Sequence, residues 1–197
     1  MKYALKEWNS TIEALSRGLI VAVWRKGGIE DVSFKVEQKQ FVLFPTFTHQ
    51  DLNKIKKDFW FLFDQIKGPN KDNQIKVKYW AEVEEQIEVK TFDQLLSISS
   101  ELINSNEYLN SSWNLSPNHT GKILLLRVYS LTDPILITNS PEYAGCKSWI
   151  ELKIDIPKVG SKPVLPFKEF NRKARLIKAL LEQSPQVAFS KPSLVAQ

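Results

Sequence analysis

Three groups of residues have the chemistry to bind or transform a ligand. The first lies between Trp24 and Gln50, where Arg25, Lys26, Gly27 and Gly28 adjoin one another and His49 and Gln50 follow the apolar run Phe41-Val42-Leu43-Phe44. Downstream, Arg127 and the stretch Tyr143-Ala144-Gly145-Cys146-Lys147 add two cations, a phenol and the chain's lone cysteine. If the strand ends carrying these residues converge, they line one cleft suited to an anion. Arginine grips phosphate or carboxylate through paired N–H groups, and Gly27-Gly28 lets backbone amides approach the same ligand. His49 titrates near neutrality and suits acid–base work. With Cys146, whose thiol a neighbouring cation such as Lys147 would acidify, it would form a nucleophilic dyad. The competing reading is structural: Arg25 and Arg127 pair with Glu7 or Glu13, the glycines make a hairpin turn, and Cys146 packs.

The second group is a set of Glu-x-Lys triplets, Glu37-Gln38-Lys39, Glu88-Val89-Lys90 and Glu151-Leu152-Lys153, with Asp31 ahead of the first. A metal-dependent nuclease needs clustered carboxylates and a nearby lysine to hold a hard cation and activate water. In a chain this rich in Lys and Glu such triplets also arise by chance; Glu151 is the metal candidate, and no metal is otherwise expected. The third group is basic: Lys168, Arg172, Lys173, Arg175 and Lys178 fall on one helical segment able to grip nucleic-acid phosphates. The commoner fate of such charge is a solvated face.

The charge distribution narrows the reading. The net charge is +5, but residues 158–197 hold eight Lys/Arg against two Asp/Glu, so that end alone is +6 and residues 1–157 carry −1. A sequence pI near 9.2 therefore describes one element, which favours a local phosphate contact over a uniformly basic fold. A single cysteine forbids an internal disulfide. No apolar run approaches the roughly 20 residues of a membrane span, and the start lacks a signal-peptide core, so a cytoplasmic protein without membrane partners is expected. Neither Gly-x-Gly-x-x-Gly nor Gly-x-x-x-x-Gly-Lys-Ser/Thr occurs, and no cofactor is expected.

Elements must position these groups. Leu5, Trp8, Ile12 and Leu15 recur at helical steps, predicting a helix over 3–17 that Gly18 stops. Apolar runs predict strands over 19–24, 32–36 and 41–44, the last ending at Pro45. A second helix is predicted over 51–66, with Leu52, Ile55, Phe59, Leu62, Phe63 and Ile66 inward. Alternation over 74–89 predicts one or two strands, and Thr91 caps a short helix reaching about Leu102. The Asn/Ser-rich stretch 104–121, with a turn of helix near Tyr108, reads as a long ordered loop. Residues 123–129 and 135–138 read as a hairpin around Asp133-Pro134, and 149–154 as a final strand. Residues 167–183 form an amphipathic helix whose Phe170, Ala174, Ile177 and Leu181 face the core. Of the six tryptophans, Trp113 alone falls in a polar stretch where it would serve for base stacking.

These segments, in order, carry a resemblance. Ala4-Leu5-Lys6-Glu7-Trp8, Glu13-Ala14-Leu15, Arg25-Lys26-Gly27-Gly28-Ile29, Leu43-Phe44-Pro45-Thr46-Phe47 with His49-Gln50, Leu125-Leu126-Arg127-Val128-Tyr129 and Pro141-Glu142-Tyr143-Ala144-Gly145-Cys146-Lys147-Ser148-Trp149 resemble the bacterial domain-of-unknown-function family 1802 over roughly residues 3–183. The resemblance implies an association with DNA restriction or modification and no defined activity. The segment Asn106-Glu107-Tyr108-Leu109 with Ser112-Trp113 departs from the family in lacking a histidine. A weaker similarity is to ASCH and PUA-like barrels, in which a helix passes through a glycine, here Gly18, into a strand ending in a basic residue, here Arg25; it implies binding of RNA or modified bases.

The sequence therefore predicts an α+β protein with a mixed, mostly antiparallel sheet or partly closed barrel and N-terminal, middle and C-terminal helices. Its expected organisation is one domain over 1–157, a linker and basic helix packed on it over 158–185, and a flexible tail over 186–197. The expected function is that of an accessory protein binding DNA or RNA. A metal-dependent nuclease-like hydrolase and a structural module with a protein partner are the alternatives, and the oligomeric state is open.

Overall fold

The computed structural model describes residues 1–26, 34–48, 50–65, 68–116 and 119–184. Gly27, Gly28, Asp31 and His49, together with the tail over 186–197, lie outside them, as do the first two residues of the strand expected over 32–36; the other three, Phe34 to Val36, are not strand.

Among the described residues, seven strands form one curled, mixed and mostly antiparallel sheet, a half-barrel. In chain order the regular elements are β1 (Tyr3–Trp8), α1 (Asn9–Ser16), β2 (Ala22–Lys26), β3 (Gln40–Thr46), β4 (Gln74–Val89), α2 (Phe92–Ser97), α3 (Asn106–Asn114), β5 (Gly121–Thr138), β6 (Trp149–Glu151), β7 (Lys162–Pro163) and α4 (Phe167–Gln183). The sheet order is β2-β5-β4-β3-β1-β6, with β7 added to β5. β1 runs parallel to β3; the other pairings are antiparallel.

Side chains alternate between the two faces, as a pleated strand requires. On β3, Phe41 and Leu43 enter one core with Ile12 and Leu15 of α1, while Val42 and Phe44 point into a second with Trp80, Tyr143 and Ile150. On β5, Leu124 and Leu126 join the first core, and Ile123 and Leu125 pack with α2, α3 and α4. Strands buried on both faces read as unbroken apolar runs, which is why β2, β3 and β5 are visible in the sequence.

Five expectations need correction. The helix expected over 3–17 exists only as α1; its first six residues are β1, because Ala4 and Leu5, both fully buried, fill the slot between β3 and β6. Tertiary pairing there overrides a helical spacing of apolar residues. The expected hairpin at Asp133-Pro134 is a bulge in a continuous β5: Val77 pairs with Ile135 and Tyr79 with Ser130, so Leu131 to Pro134 all stand opposite Lys78. A bulge accommodates a proline that cannot donate to the ladder.

The helix expected over 51–66 is two 3-10 segments, Leu52–Lys54 and Lys57–Gln65, separated where extended Ile55 bridges to Asn104. Within the expected loop at 104–121 lies α3, whose N-cap Ser105 accepts a hydrogen bond from the Tyr108 N–H and whose Leu109 and Trp113 are buried one turn apart. The last strand stops at Glu151.

Local signals held elsewhere. Gly18 adopts φ +65 after α1, the Thr91 hydroxyl accepts from the Gln94 N–H at the start of α2, and α4 spans Phe167–Gln183 with Phe170, Ala174, Ile177 and Leu181 buried. Among the described residues no helix is long and apolar enough to cross a membrane. Since Ile177 is fully buried at the centre of the α4 contact, Ile177→Ala should cost about 3 kcal/mol in urea unfolding, whereas exposed Lys168→Ala should change stability by less than about 0.5 kcal/mol.

Candidate functional site

Three strands separate β1 from β2 in the sheet order, yet the curl brings their side chains together. Arg25 on β2 reaches across the gap: its Nη2 donates to the Lys6 carbonyl at 2.9 Å and lies 2.7 Å from Oε2 of Glu7. Both side chains are largely buried, with 16% and 13% exposure, and Oε1 of Glu7 also accepts from the Trp8 N–H at 2.9 Å. The guanidinium lies over the Phe34 ring, 5.5 Å from its centroid. This is the pairing of Arg25 with Glu7 that the structural reading of the sequence anticipates, made from a strand instead of a helix.

Along this seam opens a cavity of about 330 Å3. Trp8, Trp24 and Tyr108 supply aromatic surface; Lys6, Glu7, Arg25 and Lys147 supply charge; Thr46, Thr48 and Asn104 add neutral polar groups. The aromatic groups are held by one another and by α3. Trp8 and Tyr108 approach with ring centroids 5.2 Å apart, and the Trp24 indole donates to Oγ of Ser112 at 2.9 Å. Burial, reinforced by Glu7, pushes the Tyr108 phenol above the usual tyrosine range. Trp24 lies flat over Gly121, where any Cβ would overlap its ring, so β5 begins with the one residue that makes room for it.

Lys6 is the cation best fixed in space. Its Nζ donates to the carbonyls of Tyr143 and Gly145, each at 2.7 Å, which ties the 143–147 loop to β1. Burial lowers its pKa, an effect that Cys146 opposes and Lys147 reinforces. Tyr143 is a buried support: its ring packs edge-on against Phe44 and its hydroxyl accepts from the Lys153 N–H at 3.0 Å. Cys146 and Lys147 are exposed at the cavity rim, past Gly145 at φ +79.

The remaining residues singled out in the sequence scatter. Gln50 acts behind the site: its Oε1 accepts from the Ser10 N–H and hydroxyl, and its Nε2 donates to the Thr46 carbonyl at 2.8 Å, joining the start of α1 to the end of β3. Lys26 ends β2 opposite Gly121 and does not line the cavity. Arg127 is elsewhere on β5, 4.0 Å from Glu84 and over the rings of Tyr129 and Phe167, so the expected convergence excludes it. Gly27, Gly28 and His49 are outside the described residues.

On α4, Lys178 pairs with Glu85 at 2.9 Å and Lys173 donates to the Leu19 carbonyl, whereas Lys168, Arg172 and Arg175 are exposed with no ion pair among the described residues. Trp113 is core, 7% exposed, and does not offer a stacking surface. Glu37, Glu88 and Glu151 lie exposed on three separate stretches, and the described residues contain no group of three His, Cys, Asp or Glu able to hold a metal.

Lys6, Glu7, Trp8, Trp24 and Tyr108 are among the cavity residues that sequence reasoning did not place in a site. The signal was present in the Ala4-Leu5-Lys6-Glu7-Trp8 motif, but a helical reading of 3–17 turned Lys6 and Glu7 toward solvent.

Comparison with known proteins agrees with that motif. The model of a family described as a domain of unknown function, DUF1802, matches residues 4–175. The chain belongs to this family. No curated protein matches it. Among solved structures, the DUF1802 chain is similar to the ASCH protein from Zymomonas mobilis, with 13% identity, a TM-score of 0.45 and 94% of this chain covering 97% of that one. A mutant of the same protein gives 11% identity and a TM-score of 0.45 over 88% of this chain and 93% of the other. From α3, Tyr108 contributes to the cavity wall.

The seam makes a direct prediction. Arg25→Met leaves the Glu7 carboxylate largely buried without its partner and should cost about 3 kcal/mol in urea unfolding, while Lys26→Met, one residue on, should cost less than about 0.5 kcal/mol.

Proposed function

We propose that this DUF1802 chain is a nucleic-acid-binding domain that takes one unpaired nucleotide into the seam cavity. The observation that carries the reading is the juxtaposition of Trp8 and Tyr108 with Lys6 and Lys147 around a single cavity. Aromatic faces beside cations suit an unstacked base and its phosphate: stacking accepts any base, and a lysine answers the phosphate charge. The volume, about 330 Å3, lies at the small end of the roughly 300–1,000 Å3 typical of ligand sites and suits one nucleotide unit better than a duplex. The exposed Lys168, Arg172 and Arg175 of α4 supply a second, unspecific phosphate contact whose strength falls with salt.

Polarisation of a labelled ten-nucleotide single strand tests the reading at two salt concentrations. Trp8→Ala should weaken binding about tenfold at both, as loss of one stacking partner does. The double reversal Arg172→Glu/Arg175→Glu should weaken binding mainly at low salt and flatten the salt dependence. Failure of the wild-type chain to bind any strand, or affinity unaltered in Trp8→Ala, contradicts the proposal.

A further inference from the structure

The balance of charge at the cavity narrows the ligand. Arg25 is neutralised by Glu7, which leaves Lys6 and Lys147 as cavity cations with no carboxylate partner among the described residues. Lys6 spends two of its three N–H donors on the Tyr143 and Gly145 carbonyls, leaving one free, and its position is fixed by those bonds. Lys6 and Lys147 line the same cavity, and the Lys147 charge adds to the burial that disfavours the Lys6 ammonium, while Cys146 opposes it. The backbone N–H groups of Cys146 and Lys147, which follow left-handed Gly145, make no hydrogen bond among the described residues. Successive free amides after such a residue form a concavity for an anion.

Two uncompensated ammonium groups and a run of free amides exceed what one phosphodiester, with a single negative charge, requires. A phosphomonoester carries about −1.5 to −2 at neutral pH and three accepting oxygens. Resting on the reading of the cavity as a nucleotide site, we infer that its ligand is a nucleotide bearing a terminal phosphate, held by Lys6, Lys147 and the 145–147 loop. Two sources share that chemistry: the phosphorylated end of a single strand and a free mononucleotide.

Calorimetric titration separates them. The probes are one ten-nucleotide single strand with a 5′-phosphate, with a 3′-phosphate and with hydroxyls at both ends, plus a nucleoside 5′-monophosphate and its nucleoside. One phosphorylated strand should bind about tenfold tighter than the hydroxyl-ended strand, and Lys147→Gln should bring it down to the hydroxyl-ended level. A monophosphate matching the phosphorylated strand identifies free nucleotide as the source; a weaker one identifies the strand end; either upholds the inference. If all three strands bind alike, the terminal-phosphate inference falls and the nucleic-acid reading stands. If no strand binds but the monophosphate outbinds the nucleoside, the inference stands and the nucleic-acid reading falls; if nothing binds, both fall.

Discussion

The contact between Arg25 and Glu7 is the constraint on which the site depends. A sheet ordered β2-β5-β4-β3-β1-β6 has no hydrogen-bonded ladder between β2 and β1, and left open it would present two separate edges. One guanidinium spans the gap, satisfying a main-chain carbonyl and a carboxylate of consecutive residues, Lys6 and Glu7. Because both charges are mostly withdrawn from water, neither is tolerable alone, and the pair ties β2 to β1 across the gap. A side-chain bridge, unlike a full β-ladder, leaves space beside it. The cavity is that space.

What fills the walls follows from the same geometry. β1 delivers Lys6, Glu7 and Trp8 consecutively, β2 delivers Trp24 and Arg25, and α3 closes the side with Tyr108. The Ser112 hydroxyl accepts from the Trp24 indole, so the helix that carries Tyr108 also holds the Trp24 ring. Lys6 is drawn to the 143–147 loop by two carbonyls, which offset part of the desolvation that lowers its pKa. The outcome is a pocket lined by aromatic surface, one internally balanced ion pair and two ammonium groups that have no carboxylate partner among the described residues. That asymmetry distinguishes it from an ordinary structural salt-bridge cluster, where charges of both signs cancel.

Much of the architecture was legible because it rests on local signals. The α4 stripe, the Thr91 cap, the Gly18 stop and the apolar runs of β2, β3 and β5 each depend on residues close in sequence. The misread elements are those decided by distant partners. Tyr3–Trp8 has helical spacing but is claimed by β3 and β6; Asp133-Pro134 carries a turn signal that β5 absorbs as a bulge; α3 is polar in composition and held by the burial of Leu109 and Trp113. The same distinction governs the site. Arg25, Cys146 and Lys147 were visible as chemistry, and Arg25 with Glu7 as a candidate pair, but grouping Arg127 with them required a convergence that the curl does not make. Lys6 was hidden by the mistaken helix.

The central claim is that closing the half-barrel through one arginine creates a nucleotide pocket. A crystal structure of the chain soaked with a nucleoside 5′-monophosphate tests it most directly. The account predicts the base against Trp8 and Tyr108 and the phosphate within hydrogen-bond reach of Lys6 Nζ and the 145–147 loop, with the Arg25–Glu7 pair intact. Nucleotide bound only on the outer face of α4, or a seam cavity left empty at saturating ligand, would contradict it.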